Sequence, residues 1–376
     1  MIVKRLAAVA ALFLISACAT AQPLPIETRA ASWWADVEAL ASDAMEGRAA
    51  GTPGYDRAAQ YVADRFAALG LQPAGTEGWF QPIAFEERRI LLDRSSAALV
   101  TDGRETPLRM PDDIYFRVRG GPPPERAEGR LVFLGYGLHI PEAGHDDFAG
   151  VDLRGAIAVV ISGGPANISG ALKSHARDER GRILAERGAI GLITITTTGQ
   201  AEAAWDRTAP NYSTQPGLYF ADASSRDRTV TLGGAFNPAT AEQLFARSGH
   251  RYADLAALAD ASRPVPTFAL NQNLRVTLAT EGRGLSSANV VGRLPESDPR
   301  LAGEHVVLTA HLDGLGIARP VNGDAIYNGT LDNAAGVSAL LDIAAHYRRQ
   351  RHCRARHCGS HRRSPPRRCP ARRDGR

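Results

Sequence analysis

The chain has 376 residues, a formal net charge of +4 and four cysteines, with 44% hydrophobic and 22% charged residues. That composition belongs to an ordinary globular protein of two or three domains, and excludes a disordered tail or a disulfide-stapled mini-protein as the whole chain. The charge is unevenly spread: residues 348–376 hold twelve arginines and a single acid, Asp374, leaving 32 basic and 39 acidic residues in the rest. An acidic body at −7 therefore carries a basic tail at +11. The overall charge alone is no argument for a nucleic-acid partner, and none is expected, because the tail lacks stacking aromatics.

The N-terminus reads as an export signal over residues 1–18. Lys4 and Arg5 form a positive region and Leu6 to Ile15 an apolar one, too short to span a bilayer as a mature helix. Ile15-Ser16-Ala17-Cys18 is similar to a bacterial lipobox, with Cys18 as the lipidated thiol, and cleavage after Ala19-Thr20-Ala21 is the alternative. The expected location is the periplasm or the outer membrane, attached through Cys18. The other three cysteines, Cys353, Cys358 and Cys369, lie in the tail.

Ser32 to Gly70 reads as helical, with Ala58, Val62, Phe66 and Leu69 on one stripe and Gly70 as a stop. Met45-Glu46-Gly47-Arg48 and Gly51-Thr52-Pro53-Gly54 form a turn-rich loop, read either as a flank of a site or as a connector. Residues 85–235 alternate strands with Gly/Pro turns. Arg130–Leu134, the apolar run Ala156–Ser162 and Gly188–Ile193 are predicted strands, the last fed by a helix around Ile183–Arg187. One or two helices are expected over 237–261, a half-buried strand at Leu274, Val276 and Leu278, and short strands at Asn289–Leu294 and His305–Thr309. Val337, Leu340, Leu341, Ala344 and Ala345 form a helical face, and periodicity ends after Tyr347. His145-Asp146-Asp147 and His175 read as solvated, the former with calcium chelation as an alternative.

The sharpest chemistry lies in Thr309-Ala310-His311-Leu312-Asp313-Gly314, followed by Leu331-Asp332-Asn333-Ala334-Ala335-Gly336. In an extended segment, residues two apart share a face, so His311 and Asp313 are expected to point the same way. A neutral imidazole binds zinc through one nitrogen while a carboxylate fixes the other. A carboxylate at Asp332, just before a helix, can ligate metal and even bridge two ions. Taken singly, His311 also fits a hydrogen-bonded surface residue, and Asp332-Asn333 a helix cap.

The combination resembles a known family. Asn289-Val290-Val291-Gly292, His305 through Asp313, Ile326-Tyr327-Asn328-Gly329 and Asp332 through Val337 look like the co-catalytic zinc aminopeptidases of metallopeptidase family twenty-eight, aminopeptidase Y-like branch. Gly135-Tyr136-Gly137, Asp146-Asp147-Phe148 and Val151-Asp152-Leu153-Arg154-Gly155 resemble the protease-associated domain inserted in that branch. The resemblance implies an α/β fold: a mixed, mostly parallel sheet with flanking helices, plus an inserted β-rich α/β domain. The implied boundaries are 32–85 and 263–347 for the peptidase part, 86–262 for the insertion and its connections, and 348–376 for the tail. It further implies His311 and Asp332 as zinc ligands (Asp332 bridging), Asp313 orienting His311, two zinc ions, and peptides as substrates cut at their N-termini. A glutamate base, a Glu ligand, a further Asp and a late His should follow residue 347. Glu304 is the last glutamate, and the tail's His352, His357, His361 and Asp374 do not follow the family's pattern. The tail composition suggests a shifted reading frame beginning near residues 348–352. The expectation is a zinc aminopeptidase whose site is incomplete as written, or alternatively a non-catalytic exported binding or scaffold lipoprotein.

Overall fold

In the computed structural model the described residues are 25–295, 300 and 303–360, with side chains described to residue 349. The export signal, Cys18, Cys369, His361 and the side chains of the tail's other cysteines and histidines therefore lie outside what the structure describes. The chain opens with helices α1 (Ile26–Leu40) and α2 (Pro53–Ala68) and strand β1 (Gln72–Pro73). It continues through β2 (Phe80–Ile90), β3 (Ser96–Thr101), β4 (Arg104–Leu108), β5 (Ile114–Val118), β6 (Arg126–Leu134), β7 (His139–Ile140), β8 (His145–Asp146) and β9 (Ala156–Ile161). Next come α3 (Gly170–Glu186), β10 (Gly191–Ile195), α4 (Trp205–Thr214), β11 (Gly217–Phe220), β12 (Leu232–Phe236), α5 (Glu242–Phe245), α6 (Tyr252–Asp260), β13 (Thr267–Thr277) and β14 (Thr280–Val290). The last elements are β15 (Gly292–Arg293), β16 (Gly316–Val321), β17 (Asp324–Tyr327) and α7 (Ala335–Ser360). Among the described residues, no helix is long and apolar enough to cross a membrane.

The fold is mixed α/β, and the chain divides into two compact units, one of residues 82–287 and one of the segments before and after it. The 82–287 unit holds an eight-stranded sheet in the order β4-β3-β13-β6-β9-β10-β12-β5. Its four strands β6, β9, β10 and β12 run parallel, and β13, β3, β4 and β5 join antiparallel. β9 is buried along its whole length, as expected for a strand with neighbours on both edges and a continuous apolar sequence. β13 instead alternates, with Leu274 and Val276 buried and Arg275 exposed between them.

The other unit is built on helices. Val37 and Leu40 of α1, Ala58, Val62 and Phe66 of α2, and Val337 and Leu341 of α7 form one core with Ala334. The helical stripes of the sequence thus meet each other. Thr52 caps α2 through its hydroxyl, accepting from the Tyr55 N–H, with Pro53 at the first helical position. Asp36 is buried and accepts from the Tyr61 hydroxyl at 2.6 Å and the Arg65 guanidinium at 2.7 and 3.0 Å, tying α1 to α2. Arg29 pairs with Asp342, tying α1 to α7.

Two expectations change. His305–Thr309 forms no strand; residues 304–315 have no regular structure, and Val306 is 91% exposed. The physical reason is that no strand among the described residues hydrogen-bonds to this segment. Also, His145-Asp146-Asp147 is not a solvated loop. β7 and β8 pair so that His139 faces Asp146 at 3.2 Å, and His145 reaches the buried Asp147 at 3.0 Å. Burial pushes the Asp147 carboxyl above the usual carboxylate range, against the Leu138 N–H that it accepts from. His175 is exposed, as its sequence suggests.

Candidate functional site

The site lies wholly in the helical unit. His311 sits in the irregular segment and Asp332 in the turn Thr330–Ala334 that leads into α7. Between them the β16–β17 hairpin, registered with Gly316 opposite Tyr327 and Ile317 opposite Ile326, folds the chain back. The two side chains meet: His311 Nε2 is 2.9 Å from Asp332 Oδ1.

The surroundings explain how Asp332 is left available. Asn333 Oδ1 accepts from the Gly336 N–H at 3.0 Å, so Asn333 satisfies the first turn of α7. Asn333 Nδ2 also donates to the His311 carbonyl at 3.3 Å, tying the His311 and Asp332 segments together. Asp332, outside helical dihedrals at φ −118°, keeps its carboxylate 88% exposed. His311 Nδ1 faces the Asp313 backbone carbonyl at 3.2 Å, closer than the Asp313 carboxylate at 3.5 Å. Thus the structure brings His311 and Asp332 together, while Asp313 meets the imidazole mainly through its main chain.

One residue of the early loop is far more engaged than its sequence suggests. The Arg48 side chain is completely buried. Its Nε donates to the Leu312 carbonyl at 2.9 Å, its Nη1 to the Asn328 carbonyl at 2.6 Å and to that of Leu40, and its Nη2 to the Gly329 carbonyl at 2.9 Å. Burial lowers the pKa of its guanidinium, opposed by the charges of Asp313 and Asp332. Glu46, Gly47 and Arg48 all have positive φ (49°, 64° and 57°). A Cβ on Gly47 would lie 2.6 Å from the carbonyl oxygens of Gly316 and Tyr327, so only glycine allows this approach to the hairpin. The early loop is therefore a flank of the site and not a mere connector. The sequence signal that could have found it is an arginine directly after a Gly turn and ahead of the turn-rich Gly51-Thr52-Pro53-Gly54.

Zinc is the metal that the family resemblance implies. An imidazole nitrogen and a carboxylate oxygen are zinc donors in kind. Their number falls short: a catalytic zinc takes three protein ligands, and no group of three or more His, Cys, Asp or Glu suited to a metal occurs among the described residues. Glu304, the last glutamate in the sequence, is exposed.

No curated protein matches the chain. Among solved structures, an aminopeptidase from Aneurinibacillus sp. strain AM-1 is 21% identical, with a TM-score of 0.39, over 85% of this chain and 59% of that one. A peptidase M28 precursor from Shewanella amazonensis is 16% identical, with a TM-score of 0.38, over 86% and 64%. A zinc aminopeptidase from Bacillus subtilis is 17% identical, with a TM-score of 0.31, over 87% and 59%. The chain thus spans less than two thirds of the length of these proteins. Residues 289–357 match the family model of Peptidase family M28, and this is the segment that carries both His311 and Asp332.

Proposed function

We propose that this chain is a zinc aminopeptidase-type protein of the aminopeptidase Y-like branch, a type acting on the N-termini of peptides, whose site is incomplete and inactive as written, with His311 a terminal ligand and Asp332 the bridging ligand of what is a two-zinc site in its complete form. One observation carries the reading: the segment matching Peptidase family M28 is the segment in which His311 Nε2 and Asp332 Oδ1 converge to 2.9 Å. Bound zinc would supply a Lewis acid and an activated water. The chain's own residues do the positioning, with Asn333 linking the ligand segments and Asp313 turning His311. The protein further carries an inserted protease-associated domain with its connections over 86–262, is exported, and is attached to a membrane through lipidated Cys18.

Zinc analysis together with hydrolysis of aminoacyl-nitroanilides tests this. Weak zinc binding without turnover, lost in both His311→Ala and Asp332→Asn, is expected of a site with two protein donors. Zinc content unchanged in both variants overturns the assignment.

A second reading is favoured by the two-ligand count among the described residues: an exported binding or scaffold lipoprotein without catalysis. Zinc-dependent turnover abolished by His311→Ala excludes it. Absence of turnover in the zinc-loaded full chain supports it and marks the site as incomplete.

A further inference from the structure

We propose that Arg48 is a positioning residue for the His311–Asp332 pair, its single buried guanidinium fixing both ligand-bearing loops by their backbone carbonyls. Its functional meaning rests on the metal-site reading above; its geometry stands without it.

The first ground is energetic. Taking a charged guanidinium out of water is expensive unless its donors are matched. An apolar side chain would fill the same space without that cost, so packing alone does not explain an arginine at zero exposure. Here the donors are matched, and every hydrogen bond the guanidinium makes goes to a main-chain carbonyl.

The second ground is where those carbonyls lie. Leu312 stands between His311 and Asp313. Asn328 and Gly329 close the hairpin just before the Asp332 turn. Leu40 ends α1. One planar fork thus anchors both loops to a helix of the core. The Arg48 main chain adds to the grip, its carbonyl accepting from the Gly314 N–H at 3.0 Å, so residues 312–314 are held on both sides. Lysine offers three donors from one point and cannot span the same set.

The third ground is the backbone that surrounds it. Arg48 occupies the left-handed region at φ 57°, uncommon for a residue with a Cβ. On the opposite side a Cβ at Gly329 would lie 2.7 Å from Arg48 Nη2, and Gly329 has φ 61°. A side chain at Gly329 would thus meet the guanidinium as well as the Asp332 carbonyl oxygen at 2.5 Å.

The test uses the full chain as wild type, Arg48→Lys and Arg48→Met. Circular dichroism reports folding. Amide hydrogen exchange is followed at Gly314 and Ala334, the loop amides that donate to the carbonyls of Arg48 and Gly329, with α2 as the internal control. Zinc affinity is measured by competition with a chromophoric chelator. In Arg48→Lys, exchange at Gly314 and Ala334 is expected to rise about tenfold or more while α2 stays protected. Zinc affinity is expected to fall about 10–100-fold, the range for a group that orients ligands. Unchanged loop exchange overturns the proposal. So does an equal rise through α1, α2 and α7, or failure of both variants to fold, since each makes Arg48 a general fold determinant. Wild-type protein that binds no zinc sinks the metal reading alone; the exchange result still decides the role of Arg48.

Discussion

Two apolar runs of similar sequence meet opposite fates. Ala156–Ile161 becomes β9, with every residue buried and with β6 and β10 hydrogen-bonded on either side. His305–Thr309 stays outside any sheet, and Val306, Val307 and Leu308 are 91%, 78% and 53% exposed. The difference lies in the neighbours and not in the run itself. A strand's backbone groups need partners and its side chains need a covering layer. β9 receives both, from strands that follow and precede it within one unit. The 305–309 segment receives neither from the described residues, and its apolar side chains form a surface of the kind that promotes self-association.

The largest way to sharpen the contrast is Val159→Asp. It places a carboxylate in the middle of a fully buried strand and should cost at least about 3 kcal/mol, a large share of a domain's stability. Chemical denaturation followed by circular dichroism should show early loss of the sheet. Next comes Leu341→Ala in the helical core, where the side chain is 1% exposed. A loss of about 2–5 kcal/mol is expected, whereas Leu331→Ala, at 83% exposure, should change melting very little.

A third effect appears on raising the pH. Burial pushes Tyr61 up to about 12, aided by its hydrogen bond to Asp36, and burial likewise pushes Tyr136 and Tyr252 up to about 12. An ordinary tyrosine titrates near 10. The folded forms hold the phenol protons more tightly, so their contribution is complete below about pH 10 and is lost as the pH climbs toward 12. Phenolate absorbance should lag behind that of unfolded chain through this window, and Asp36→Asn should shorten the lag at Tyr61. Coincident titration of folded and unfolded protein would contradict the burial of Tyr136 and Tyr252 and the half-burial of Tyr61.

The smallest effect closes the comparison. Val307→Asp should alter stability by no more than about 0.5 kcal/mol and should reduce self-association in light scattering. A cost approaching that of Val159→Asp would mean that residues 305–309 are packed after all.

Local periodicity made much of the fold legible. The stripe Ala58, Val62 and Phe66, the face of Val337 and Leu341, and the alternation of β13 all end up buried where their spacing points. The rest depends on residues far apart in the chain. The hairpin register that buries Asp147 is set by β7 against β8, and nothing in His145-Asp146-Asp147 itself encodes it. Arg48 bonds to carbonyls 264 to 281 residues away, a relation with no periodic trace. Periodicity stops at Tyr347, yet the α7 backbone runs on to Ser360, because helical conformation needs only permissive residues and not an apolar face. In the site, the sequence motif names His311, Asp313 and Asp332. Only the folded chain shows that Asn333 takes the capping duty and leaves Asp332 exposed.

The helical unit is discontinuous: residues 82–287 separate its two segments. For a chain made from its N-terminus, this is a matter of timing. At ~5–20 residues per second, the intervening unit takes ~10–40 s to synthesise. Throughout that interval Arg48 has the Leu40 carbonyl within reach, but Leu312, Asn328 and Gly329 do not yet exist. The guanidinium that ends fully buried must therefore spend those seconds in water. Its dehydration is deferred to the step in which the last part of the chain closes on the first.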